Sequence, residues 1–427
     1  NPCRKSSGNE LFPDVSRYID ERSNYTWFMK GKIKLLMVIA VLYPMGLGAR
    51  GIDHIISRLG EADCYHSTVR YAVTLPQAQD DVVYTLQLES QSNRNDSLAP
   101  ADYLIEWSVS TGEGTSEGFS AYFDGHHYRF RDERLQEYHM TWDSIPFMPR
   151  LNGDNRSLGV QQSAQFVQLL PQFIAKELQR MDADSLYRMN IIPDTIVGGE
   201  KCSVVDVEMT VGGYVCMEST YVFDAATGMP VSVETESNPG SISEQTILAK
   251  YTSREDMPCL PMSEELLVKR YPDVFGRYRQ SNFRIENLPG TRLPGFSLPT
   301  PTGERYTHRS SDRFASPTVI ALMDATAGFT PDIIAALRSA IDRMPVDAGL
   351  IFAFTDNRHD DIDSVCPDLR IGETSLMNAR SLCRDCGAAA LPVVVICKAD
   401  GTVSDVIIGY NNDLSESVIQ KTALASR

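Results

Sequence analysis

At 427 residues the chain can hold two or three domains with ample core. Hydrophobic residues at 42% and charged residues at 22% are an ordinary globular balance. The net charge of −16 excludes a general nucleic-acid binder, which needs a basic surface to neutralise phosphates.

Residues 1–28 are polar and irregular and stand as an unassigned leader. Met29-Lys-Gly-Lys-Ile-Lys34 is basic, Leu35 to Gly46 is apolar apart from Pro44, and Gly46-Leu-Gly-Ala49 supplies small residues. This is the pattern of a secretory signal peptide over residues 29–49, with an apolar run too short for a comfortable transmembrane helix. The expectation is an exported, periplasmic protein that starts near Arg50 and has no transmembrane span in its mature chain. Export gives Cys64, Cys202, Cys216, Cys259, Cys366, Cys383, Cys386 and Cys397 an oxidising setting in which to pair. Their connectivity is not readable from spacing; Cys64 and Cys259 could tie the two ends of the first domain together.

Residues 50–255 read as a β-rich domain opening with a helix at Ile52–Leu59. Val205, Val207, Met209 and Val211 alternate with polar residues, as do Val215, Met217, Ser219, Tyr221 and Phe223, and Gly212-Gly213 turns between them. That turn would set Cys216 opposite Glu208 and leave Cys202 too far away to bond it. Ser67–Leu75, Val82–Glu89, Tyr103–Ser110, Phe119–Phe123 and His127–Arg131 repeat the strand pattern. His126 and His127 point to opposite faces, which argues against a shared metal and for solvent-side positions. Between the strand sets, Phe166, Leu169, Leu170, Phe173, Ile174, Leu178 and Met181 recur at helical spacing, with Pro171 kinking that helix or starting a second one. The fold expected is an antiparallel, curved sheet with helices packed on it. Residues 256–292 read as a linker, with a short helix over Ser263–Tyr271 and irregular chain up to Leu288-Pro289-Gly290.

Residues 293–427 alternate strand and helix. Val319–Met323 is a buried strand. Thr330 can cap, and Pro331 can open, a helix with Ile333, Leu337, Ile341 and Met344 on one face. Leu350–Phe354 is the next strand, followed by a helix near Glu373–Cys386 with Gly387 as its C-cap. Pro392 leads the strand Val393–Cys397, Asp400-Gly401 turns, and Val403–Ile408 returns antiparallel.

The opening Leu293-Pro-Gly-Phe-Ser-Leu-Pro-Thr-Pro-Thr-Gly303, the strand order and Leu391-Pro392-Val393 together resemble TlpA-type, thioredoxin-like proteins. The resemblance implies an α/β thioredoxin-like fold with Pro392 in the cis form beside the active site. It also implies a Cys-x-x-Cys at the start of the first helix, where the dipole lowers a thiol's pKa. Here those positions are Gly328, Phe329, Thr330 and Pro331, and no thiol stands among them. Such a corner could still bind extended polypeptide by main-chain pairing. The helix–hairpin order of the first domain and its Phe223-Asp-Ala-Ala-Thr-Gly-Met-Pro230 turn resemble LolA-like carriers of envelope lipoproteins, which would imply an apolar cavity; the same aromatics also fit an ordinary core.

Cys383-Arg-Asp-Cys386 is the chain's C-x-x-C, placed at a helix end where the dipole opposes a thiolate. It reads as a structural disulfide with Cys366 as a candidate partner, as a displaced redox pair, or as unpaired or metal-bound thiols with Cys366 and His359 as further ligands. Cys397 reads as a small buried hydrophobe. His359-Asp-Asp-Ile-Asp363 lacks the features of a calcium loop and reads as a solvated connection. The leading expectation is a protein that binds a client polypeptide in envelope protein or redox homeostasis. A thiol–disulfide oxidoreductase using Cys383 and Cys386, or a carrier of an apolar ligand, are the alternatives; none requires a cofactor or a metal.

Overall fold

The structure is a computed structural model and describes residues 48–426 apart from 79, 113, 153, 154, 255 and 256. The leader and all but the last two residues of the signal segment therefore lie outside the described residues. Helix α1 (Gly48–Gly60) opens the described chain, ahead of a meander of six strands. These are β1 (Tyr65–Thr74), β2 (Val82–Ser92), β3 (Ala101–Thr111), β4 (Gly114–Phe123), β5 (His126–Arg131) and β6 (Arg134–His139). A small hairpin, β7 (Arg150–Asn152) and β8 (Asn155–Ser157), leads to helix α2 (Pro171–Ala183). A second meander follows: β9 (Tyr187–Val197), β10 (Glu200–Val211), β11 (Tyr214–Asp224), β12 (Pro230–Ser237) and β13 (Gln245–Ser253).

The two meanders join into one eleven-stranded sheet, ordered β6-β5-β4-β3-β2-β1-β13-β12-β11-β10-β9. The seam is the antiparallel pair β1 and β13, which runs from Ser67 opposite Ser253 to Thr74 opposite Thr246. Alternation places one set of side chains on each face. On one face Tyr71, Tyr84 and Trp107 pack on Phe166, Leu170 and Phe173. Further along that sheet, Val205, Val207 and Phe223 pack beneath Ile52, Ile55 and Leu59 of α1 and Ile174 and Leu178 of α2. The alternating pattern of β10 and β11 predicted this arrangement, and Val205 faces Tyr221 while Val207 faces Ser219. The turn is the two residues Gly212 and Gly213, so Val211 faces Tyr214, and a bulge beside Met209 shifts the register by one more, so Glu208 opposes Glu218 and not Cys216. Cys202 opposes Asp224, away from Cys216, as its distance from the turn implied. Pro171 starts α2 at its first turn, with the preceding residues in a separate short turn.

Two expectations for this half are corrected. His127 does not face solvent: it is 2% exposed, beside the hydroxyl of Tyr103, and burial pushes its imidazole down to about 3. The expected short helix over Ser263–Tyr271 is present, but the stretch after it is not irregular. Helix α3 (Glu264–Arg270) is capped by Ser263, whose hydroxyl accepts from the Leu266 amide, and helix α4 (Pro272–Glu286) follows at once. Leu267, Phe275 and Tyr278 cover the sheet's other face over Leu104, Phe119, Tyr128 and Leu135. Arg270 is paired with Glu89 at 2.6 Å, and the Tyr271 ring stacks on Phe119 at 4.3 Å.

Next comes the small hairpin β14 (Phe296–Pro299) and β15 (Arg305–His308), then β16 (Thr318–Met323), α5 (Thr330–Arg343) and β17 (Gly349–Phe354). The chain ends with α6 (His359–Val365), β18 (Glu373–Leu376), α7 (Arg380–Cys386), β19 (Val393–Cys397), β20 (Val403–Ile408) and α8 (Leu414–Ala425). Their sheet is ordered β18-β17-β16-β19-β20. Strands β16, β17 and β18 are parallel, β19 runs antiparallel to β16, and β20 runs antiparallel to β19. This is the order the thioredoxin-like resemblance implies, and the Leu391–Pro392 peptide is cis. Three local readings change. The expected helix over Glu373–Cys386 is a strand followed by a helix, because Glu373–Leu376 pairs alongside β17. Residues 359–365 form a helix and not an open connection. Thr330 does not cap α5; its hydroxyl donates to the Asp324 carbonyl at 2.6 Å.

Candidate functional site: a corner without thiols

Strand β16 is buried along its whole length and delivers the chain to the corner between Asp324 and Pro331. The loop is fixed by its own polar groups. Asp324 accepts from the Thr326 amide and hydroxyl at 2.8 and 2.7 Å, and the Ala325 amide donates to Asp356 at 2.7 Å. Burial, with Asp324 nearby, raises the Asp356 carboxyl above its ordinary value. Of the four positions where a reactive pair would stand, Gly328 and Pro331 are exposed while Phe329 and Thr330 are buried. The Thr330 hydroxyl is committed to a carbonyl, and phenylalanine, glycine and proline have no attacking atom.

The corner is closed by the first half of the same chain. The Phe329 ring lies 6.2 Å from Tyr138 of β6 in an edge-on arrangement and 6.3 Å from Tyr410, which follows β20. Arg134 donates to the carbonyl of Ala389 at 3.4 Å. Asp143 accepts from the Tyr410 amide at 2.9 Å and the His139 amide at 3.3 Å, and the Ile145 amide donates to the Tyr410 carbonyl at 3.4 Å. Leu391 and Pro392 are buried, and the Pro392 carbonyl accepts from Gly409 at 3.0 Å. Gly409 is required here: its φ is +83°, and a Cβ would come within 2.6 Å of Asp143. Burial pushes the Asp143 carboxyl up to about 6 against the two amides that favour its charge. The residues that close the corner, Arg134, Tyr138, Asp143 and Tyr410, were not singled out by sequence. Nothing in the local pattern of residues 134–148 says that they meet a strand some 250 residues later.

Cys383 and Cys386 sit on α7 with Gly387 as the left-handed C-cap that the sequence indicated. Both are buried and both are free, as are Cys202, Cys366 and Cys397. Burial pushes the Cys383 thiol up to about 11, only partly opposed by Arg134; burial together with Cys383, Cys397 and Asp385 pushes Cys386 up further. Cys366 is not bonded to either, and Arg338 lies 3.8 Å from its sulfur. Cys64 and Cys259 do form a disulfide, the pairing anticipated for the ends of the first half. No helix of the described residues is long and apolar enough to cross a membrane.

No family model and no curated protein matches the chain. Solved structures resemble part of it. A secreted disulfide oxidoreductase of Mycobacterium tuberculosis is 15% identical over 30% of this chain and 95% of its own, with a TM-score of 0.26. A thiol-disulfide oxidoreductase from Bacteroides fragilis is 13% identical over 31% of this chain and 98% of its own, also at 0.26. Arabidopsis thaliana ScoI with copper bound is 13% identical over 31% of this chain and 99% of its own, again at 0.26. These neighbours are thioredoxin-like. At such scores the likeness carries no argument, and the second half is described by its own strand order. The expected LolA-like resemblance finds no support in these comparisons, and its aromatic stripe is packed as core, with Phe166 at 5.1 Å from Tyr71 and 5.2 Å from Tyr84.

Proposed function

We infer that the chain is an exported thioredoxin-like protein that binds polypeptide clients and does not exchange their disulfides. The observation that carries this reading is the corner itself: its reactive positions hold Gly328, Phe329, Thr330 and Pro331, and Phe329 is packed between Tyr138 and Tyr410. A bonded Cys64–Cys259 pair suits an oxidising compartment, in line with the signal-like segment at residues 29–49. Beside the closed corner runs a groove of about 540 Å³ bordered by Met140, Ile145, Met148, Asp332, Tyr410 and Asn412. Methionines adapt to varied apolar side chains, and Met148 and nearby Trp142 are each 51% exposed. On this reading a polypeptide binds in this groove next to the corner, and Tyr410, which borders it, also packs on Phe329.

The oxidoreductase reading with Cys383 and Cys386 needs a thiolate near neutral pH, and burial holds both thiols protonated there. One assay separates the two. When dithiothreitol reduces insulin, an oxidoreductase brings precipitation forward, whereas a binder of the freed chains delays it. Wild type and Cys383→Ser are expected to delay it equally, and Met148→Glu to weaken the delay. Acceleration by wild type that is lost in Cys383→Ser would replace this reading with the oxidoreductase.

A further inference from the structure

Apart from the corner, one group of side chains among the described residues has the spacing of a metal site. Cys64 immediately precedes β1 and His66 is that strand's second residue, so the two point to the same side. Tyr65 and Ser67 point the other way and are buried. The pairing of β1 with β13 brings the chain after β13 alongside, where the Arg254 amide donates to the His66 carbonyl at 3.1 Å. Cys259 is thereby placed so that the two sulfurs and an imidazole nitrogen lie within 4.8 Å of one another. The Gln91 amide donates to the Cys259 sulfur at 3.3 Å and to the Leu260 carbonyl at 2.7 Å, which holds that cysteine's segment in place. Cys64 and Cys259 are exposed, unlike the five buried free cysteines of the described residues.

The geometry points to a thiol-switched metal site: Cys64, His66 and Cys259 bind a thiophilic divalent cation, Zn²⁺ above all, when the Cys64–Cys259 bond is reduced. An exposed disulfide is open to a partner's thiolate, and the reductant needed is a protein or small-molecule dithiol. Its first thiolate attacks one of the two sulfurs, breaking the Cys64–Cys259 bond and forming a mixed disulfide. Its second thiol then closes on the first, so the dithiol leaves as a disulfide, having given two electrons and two protons to Cys64 and Cys259. Zn²⁺ displaces those two protons on binding the sulfurs as thiolates, and takes a neutral His66 nitrogen as third ligand. Two sulfurs, one nitrogen and a water complete a tetrahedral set, the coordination of zinc sites that keep one position open. The strand seam fixes His66 against the segment carrying Cys259, so the ligands need only the opening of the sulfur pair to reach metal-binding separations. Oxidised, the site is a covalent clip and the sulfurs are unavailable to metal. The inference is independent of polypeptide binding at the groove.

The test uses the full chain, reduced with a phosphine that is then removed, alongside the oxidised chain. Co²⁺ is titrated for the visible absorption of a tetrahedral thiolate complex, and Zn²⁺ affinity is read by competition with a chromogenic indicator. The reduced chain is expected to take up a single equivalent of Co²⁺ that Zn²⁺ displaces, and the oxidised chain none. Cys64→Ser is expected to abolish uptake. His66→Ala, which still forms the disulfide, is expected to weaken Zn²⁺ at least about tenfold. Reduced wild type binding no tighter than Cys64→Ser, or His66→Ala binding as tightly as wild type, overturns the proposal. If Cys64→Ser does not fold, the oxidised–reduced comparison and His66→Ala decide it alone.

Discussion

Asp143 joins the two halves through hydrogen bonds on both sides. Its carboxylate holds the Tyr410 amide, its bulk excludes any side chain at position 409, and it is 4% exposed. Burial raises its pKa from 3.8 to about 6, so between those values the folded protein holds a proton that the unfolded chain has lost. Stability must therefore fall as pH rises through that window, by about 3 kcal/mol for a shift of about two units, and stay level above it. Chemical denaturation of wild type and Asp143→Asn between about pH 4 and 7 isolates the contribution, because other titrating groups cancel in the difference. Wild type is expected to lose stability relative to the variant as pH rises to 6. A difference that is flat with pH would mean that Asp143 ionises in the fold as freely as in water.

At the scale of elements, the second half was the more legible. Its central strands are unbroken apolar runs, Val319–Met323, Leu350–Phe354 and Val393–Cys397, as strands covered on both faces must be. Strand β18 escaped because it is short and opens with Glu373, whose charge is matched by Arg338 at 2.7 Å. Strand β9 escaped because it is an edge with no buried residue and carries Pro193. Helix α4 escaped because Arg277, Arg279 and Arg284 interleave with its apolar residues, so only Phe275, Tyr278 and Ile285 turn inward. That helix makes a close approach to α7. Gly387 has a φ of +81°, and a Cβ there would lie 2.6 Å from the Ser281 carbonyl and 2.8 Å from the Ile285 amide, both backbone atoms that no rotamer can clear. Gly387→Ala is expected to cost about 2–4 kcal/mol, from left-handed strain and the displacement of α4. Gly276→Ala, in the same helix with nothing within 4 Å of the new Cβ, should instead stabilise by about 0.5–1 kcal/mol. Denaturant titration of both variants measures the contrast; equal effects would show that α4 and α7 are not in contact.

On the scale of the whole molecule, the sequence divides more readily than the structure does. The boundary near residue 255 follows the change from alternating strands to strand–helix repeats. Yet a single buried cluster contains Tyr138 of β6, Phe329 at the corner and Tyr410 after β20, and continues through Tyr103 and Phe166 on one side and Ile333 and Phe352 on the other. At the corner Phe329 and Thr330 are buried while Gly328 and Pro331 stay exposed, and the Phe329 ring supplies apolar area to the contact between the halves. Contacts of this kind leave no mark on local periodicity, since each partner looks like core of its own half. Their energetic consequence is coupling. Two halves that share a core should melt together, and two that merely sit side by side should not. Calorimetry of wild type is expected to give one transition whose calorimetric and van't Hoff enthalpies agree. Tyr138→Ala removes the ring against Phe329 and about 3–5 kcal/mol of packing, and should split or broaden that transition as the second half unfolds without waiting for the first. Two resolved transitions already in wild type would show that the sealed corner contributes too little to bind the halves into one unit.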